Sequence, residues 1–193
     1  MNIPLQLILL LIPSLIFIGV NKIRKRDWNS ILSNIGWKLP PVRYLAIGLG
    51  MGLLPGLITI FIPNILPPEL IDQPEIAQSI YSEWSLSIIT FFLAFLREAI
   101  YIALGEEIFF RGFLGGILFR KIGFIAGNII QSIIFLLPHL LLLTISVRLW
   151  PILLMQFLGG WIYGWIFYKS ESILPSWLAH SLGNAFGAMI FMR

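Results

Sequence analysis

The chain is 193 residues long, 58% hydrophobic and only 11% charged, with a mean hydropathy of +0.91; soluble domains run at about 45–50% apolar and about 25% charged, so a water-soluble fold is excluded. At about 20 apolar residues per spanning helix, there is room for about six or seven spans at most and no sizeable soluble domain. Cysteine is absent, which removes disulfide frameworks, thiolate metal sites and cysteine nucleophiles; the formal charge of +4 fits basic loops on the cytoplasmic side of a membrane, and no nucleic-acid partner is expected.

The first apolar run, Ile3 to Val20, is followed by "NKIRKRD". A secretory leader carries its positive charges first and ends in small residues, so this run is expected to stay as a helix with its N-terminus outside. Lys22, Arg24, Lys25, Arg26, Lys38 and Arg43 share the next loop, which their charge assigns to the cytoplasm. A second, glycine-rich span from about Tyr44 to Ile62 is expected to bend at Pro55. The connection after it holds Glu69, Asp72, Glu75 and Glu83, several prolines and neither Lys nor Arg, and belongs outside.

From Trp84 to Phe119 the chain is apolar for longer than one crossing requires. Either one long tilted helix crosses, or Trp84 to Leu96 lies partly in the interface and the span begins near Ala99. The second is preferred, because Arg97 and Glu98 would otherwise sit mid-bilayer. Arg120 and Lys121 mark the cytoplasmic end. Three more spans follow, at about Ile122 to Leu143, Leu149 to Tyr168 and Ile173 to Met192, with Arg148 and Lys169 in the turns. The expectation is an all-α, polytopic transmembrane helical bundle of about six spanning helices, both termini outside. Residues 1–83 form an N-terminal pair of helices with the basic and acidic loops, and residues 84–193 a core of about four helices. In the fifth span "GGWIYGW" interleaves small and aromatic residues, a surface suited to close helix packing.

The chemistry concentrates in "ALGEEIFFRGFLGGILF", Ala103 to Phe119. At about 100° per residue, Glu107 and Arg111 share a helix face and can pair, while Glu106 points about 100° from Glu107 and is available to something else. The two histidines of the chain, His139 and His180, lie in different apolar spans, and with a spare carboxylate they make a set. Asn184 follows His180 by one turn and projects from the same face. His139 follows Pro138, which should bend its helix and free a backbone carbonyl nearby. Counted from the cytoplasmic ends, Glu106 lies about 20 Å, His139 about 27 Å and His180 about 12 Å along their helices. Only tilts or kinks would bring these three levels together.

"EEIFFR" (Glu106, Glu107, Arg111), "FLLPH" (Phe135 to His139) and "HSLGN" (His180 to Asn184) resemble, in order and internal spacing, the EExxxR, FxxxH and HxxxN motifs of the CPBP family, intramembrane proteases related to type II CAAX prenyl endopeptidases and Abi proteins. The resemblance covers Gly105 to Asn184. It implies a peptidase site in a cavity of the bundle that opens toward the cytoplasm, in a multi-pass protein of a bacterial-type plasma membrane acting on a membrane-associated protein or peptide. It makes Glu106 and His139 the pair that activates water, His180 and Asn184 the pair that steadies the oxyanion, and Glu107 and Arg111 supports. No cofactor is required in this reading; were zinc used, its ligands would be Glu106, His139 and His180. A non-catalytic immunity or scaffold protein and a proton-coupled transporter are the rival readings, because ionisable residues inside a membrane also mark proton paths. Substrate and oligomeric state stay open.

Overall fold

The computed structural model describes residues 5–59, 73 and 76–192, and these fold into helices joined by short turns. In chain order the helices are α1 (Leu5–Ile23), α2 (Trp28–Asn34), α3 (Val42–Thr59), a 3-10 turn at Ala77–Tyr81, α4 (Ile88–Ile122), α5 (Phe124–Ile145), α6 (Val147–Ser170) and α7 (Ile173–Met189). Glu69, Asp72 and Glu75 of the expected outer loop lie outside the described residues. The all-α polytopic bundle is therefore what the sequence folds into. α1, α4, α5 and α6 are long and apolar enough to cross a bilayer, making this an integral membrane protein, while α3 and α7 occupy the two other expected spans but are shorter.

α4 is longer than one crossing requires. It begins at Ile88 and runs unbroken for 35 residues, about 50 Å, well beyond the roughly 30 Å hydrocarbon core. The start is fixed by Ser87, whose Oγ accepts from the Thr90 amide at 3.2 Å while Thr90 Oγ1 accepts from the Ser87 amide at 3.0 Å, a reciprocal cap. Two stretches of α4, Glu98–Ala103 and Glu107–Gly115, are π-helical, and each opens on a glutamate.

α7 is the element around which the site assembles, packing against α3, α4 and α6. Gly48, Gly52 and Gly56 of α3 let it approach: a Cβ at Gly52 would lie 2.8 Å from Leu182 Cβ, and one at Gly56 2.9 Å from the Phe186 ring. α5 and α6 meet over Gly160 and Gly164, where a Cβ at Gly164 would overlap Asn128 Oδ1, so "GGWIYGW" is indeed a packing surface. The basic loop is tied down as well. Asp27 caps α2 by accepting from Ser30 N at 3.2 Å, Arg120 Nη1 donates to Asn34 O at 3.2 Å, and the Ile173 amide donates to Gly36 O at 3.0 Å.

Candidate active site

The disparity in depth resolves once helix contacts rather than helix ends set the level. A Cβ on Gly112 would lie 3.5 Å from Ile173 Cγ2, so α4 overshoots the start of α7 by about three turns. Measured from that contact, Glu106 is six residues deep and His180 seven, about 9 and 10 Å. Likewise a Cβ on Gly127 would lie 2.9 Å from the Phe119 ring; His139 is twelve residues beyond that contact and Glu106 thirteen, about 18 and 20 Å. All three side chains thus reach one level without a sharp kink.

Glu107 and Arg111 are wholly buried. Arg111 Nη1 stands 3.0 Å from Glu107 Oε1, the pairing that helical geometry foretells, and Nη2 donates to Gly160 O at 3.4 Å. The guanidinium lies over the rings of Phe135, at 4.4 Å, and Tyr163, at 5.2 Å, apolar faces that favour a cation. His180 Nδ1 donates to the same Glu107 oxygen at 2.9 Å, and its ring stacks on Tyr163 at 4.9 Å. Glu107 is therefore committed on one oxygen to two cationic or donor groups.

Glu106 differs. It is 5% exposed, Gln6 Nε2 of α1 donates to its Oε1 at 2.5 Å, and its Oε2 lies 3.5 Å from His180 Nε2. The sequence left Glu106 free; the fold instead holds one oxygen and leaves the other facing His180. Gly105 makes this possible, since a Cβ there would press to 3.2 Å from Leu7 Cα and push α1 away.

His139 sits in a 3-10 stretch, Leu137–Leu141, that opens at Pro138. Its Nδ1 donates to Phe135 O at 2.9 Å, so in the neutral ring Nε2 is an acceptor. No hydrogen bond joins His139 to Glu106 among the described residues; what relates the histidines is Phe135, whose ring centroid is 5.0 Å from His139 and 5.9 Å from His180. Asn184 turns away from His180 to a second cluster, its Nδ2 donating to Glu98 Oε2 at 3.3 Å. Glu98, 3% exposed, accepts on Oε1 from Tyr81 Oη at 2.6 Å and Arg97 Nη1 at 2.9 Å. Burial and the neighbouring Glu98 carboxylate push the Tyr81 hydroxyl up, so it remains a donor.

In a regular α-helix Glu98 and Glu107, nine residues apart, would point in opposite directions. Here both bond to α7, because the π-helical turns close on the fifth residue instead of the fourth and take up the extra rotation. Sequence periodicity misses Glu98 for that reason, and misses Gln6 because only the docking of α1 brings it to the site. Among the described residues, no three His, Asp or Glu side chains are gathered as a metal would require, and the Phe135 ring packs against both histidines. As placed, Glu106, His139 and His180 are not drawn together as a ligand set. A cavity of about 380 Å³ between the start of α4 and the end of α7 is lined by Leu86, Ser87, Ile88, Phe91, Phe186 and Met189, and contains none of these polar residues.

Comparison with known proteins bears on the same stretch. The family model described as type II CAAX prenyl endopeptidase Rce1-like matches residues 88–186, slightly over half of the chain and the whole of Glu98 to Asn184. The UPF0177 protein YxdF of Lactococcus lactis subsp. lactis (strain IL1403) is 30% identical over 129 residues, which cover 64% of this chain and 67% of that protein. No solved structure matches. Matched by that model over slightly more than half of its length, this chain belongs to the type II CAAX prenyl endopeptidase Rce1-like family.

Proposed function

We propose that this protein is an intramembrane endopeptidase that hydrolyses peptide bonds of membrane-associated proteins with a water activated by Glu106 and His139. The observation that carries the reading is the unequal treatment of two adjacent buried carboxylates. Both carboxylates are held on Oε1, but Glu107 carries the Arg111 guanidinium and His180 there, whereas Glu106 accepts only from the neutral amide of Gln6 and turns Oε2 to His180 Nε2. A carboxylate with an open oxygen and no guanidinium bound to it is suited to take a proton from water.

In this reading water lies between Glu106 Oε2 and His139 Nε2, and its oxygen attacks the peptide carbonyl as Glu106 takes the proton. The new tetrahedral oxygen accepts from Asn184 Nδ2 and from His180 Nε2 in its doubly protonated form, while Nδ1 stays on Glu107. Glu106 then passes its proton to the departing amine nitrogen as the C–N bond breaks, leaving a carboxylic acid, which retains the other water proton, and an amine. Donors fixed by the fold before substrate arrives cost no reorganisation during the reaction. The residues present suffice without metal, and the mechanism is proposed as metal-free.

The test is turnover of an internally quenched, membrane-anchored peptide library by purified protein in liposomes, after exhaustive chelation and with metal content measured. Cleavage with new ends located by mass spectrometry supports the proposal. Activity lost with one equivalent of zinc and restored by its return would overturn the metal-free version, and failure to cut any peptide would overturn the peptidase. We also place the basic loop in the cytoplasm of a bacterial plasma membrane. A cysteine introduced at exposed Ser30 should resist an impermeant reagent added to intact cells; labelling from outside would reverse the orientation.

A further inference from the structure

Asn184 poses a problem of orientation. An asparagine amide has the same outline with its nitrogen or its oxygen toward a given neighbour, yet only the nitrogen can steady an oxyanion. Nothing on α7 decides between them. The neighbour that does is on α4: Glu98 Oε2 receives Asn184 Nδ2 at 3.3 Å, and a carboxylate can only accept. Glu98 is fixed in turn, since Tyr81 Oη and Arg97 Nη1 both occupy Oε1, at 2.6 and 2.9 Å, and Arg97 Nη1 also reaches Tyr81 Oη at 3.2 Å. One oxygen is saturated and the other is left to Asn184. The π-helical opening at Glu98 is what turns this carboxylate onto α7.

We propose that Glu98 is a positioning residue which, held by Tyr81 and Arg97, fixes the Asn184 amide with its nitrogen inward, so that the second N–H is available to the developing oxyanion. This rests on the peptidase reading and extends it to a residue outside the three motifs. A clamp tying the 3-10 turn to α4 through the Tyr81–Glu98 hydrogen bond and the half-exposed Arg97–Glu98 pair would account for Arg97 and Tyr81, but a clamp of that kind has no use for the bond between Glu98 Oε2 and Asn184. Glu98→Gln keeps the shape, and with Arg97 drawing the new carbonyl its amide group faces Asn184, donor against donor, which favours the flipped asparagine.

The expected result on the quenched peptide is a kcat lower by about 10² with KM and melting temperature unchanged. In the double variant Glu98→Gln/Asn184→Ala the loss should be no greater than for Asn184→Ala alone, because both remove the same donor. Multiplying losses, or wild-type kcat per folded molecule in Glu98→Gln, would reduce Glu98 to a folding clamp. A second reading does not depend on catalysis. In protein labelled with ¹⁵N-asparagine, the side-chain NH2 pair of Asn184, identified by its absence in Asn184→Ala, should exchange with solvent about tenfold faster in Glu98→Gln; unchanged exchange overturns the proposal. If the wild type cuts nothing, the peptidase reading fails and the exchange rates alone decide the role of Glu98.

Discussion

Two buried polar clusters in this bundle share an acceptor, the carbonyl of Gly160, and are otherwise built differently. Between α5 and α6, Gln131 Nε2 donates to Gly160 O and Ser132 Oγ at 2.8 Å and to Asn128 Oδ1 at 2.9 Å, while Asn128 Nδ2 donates to Trp161 O at 3.0 Å. Every member is neutral, and the glycines at 160 and 164 draw the helices together around them. Between α4 and α7, Arg111 reaches the same carbonyl from the other side, but its companions are two carboxylates and a histidine, with one oxygen of each carboxylate unbonded. The first arrangement gains by hydrogen-bonding amide groups across helices inside an apolar bundle, although Gln131 Oε1 is left without a partner. The second buries charge at a cost that packing alone would not require, which is characteristic of sites held for chemistry.

That contrast orders the substitutions. Glu106→Gln removes the proton acceptor and keeps the shape; it should reduce peptide turnover by about 10³ or more with the melting temperature in detergent little changed. Asn184→Ala should reduce turnover by about 10²–10³, the loss of one oxyanion donor, with substrate affinity retained. Glu107→Gln belongs to the structural half of the ionic cluster. It leaves Arg111 buried without its counter-charge and should cost about 3–5 kcal/mol in chemical unfolding. Gly164→Ala acts on the neutral cluster, where the added methyl meets Asn128 Oδ1; about 1–3 kcal/mol of stability should be lost, and turnover per folded molecule should stay near wild type. A catalytic loss in Gly164→Ala with normal melting would erase the distinction between the clusters.

The sequence carried the ionic cluster unevenly. Glu107 and Arg111 pair as their spacing of four dictates, and the three motifs with both histidines mark out the right region, because those are local signals on single helices. The charge of Glu98 marks it as costly inside a bilayer but does not reveal its partners, Tyr81 and Arg97, or the Ser87 cap that starts its helix eleven residues earlier. Its bond to Asn184 depends on π-helical turns that no periodicity of 3.6 residues reveals. Gln6 is a lone amide in an apolar run until Gly105 lets α1 close on α4. What the sequence withheld is how far one helix slides past another, as at Gly112 and Ile173, and that sliding levels the site.

The division of labour between Glu106 and Glu107 is tested most directly by the initial rates of the two glutamine variants on the same quenched peptide in liposomes, each normalised to folded protein. The account predicts that Glu106→Gln is slower than Glu107→Gln by more than about tenfold and melts at the higher temperature. Equal rates, or a slower Glu107→Gln with unimpaired folding, would contradict it and make Glu107 the proton acceptor.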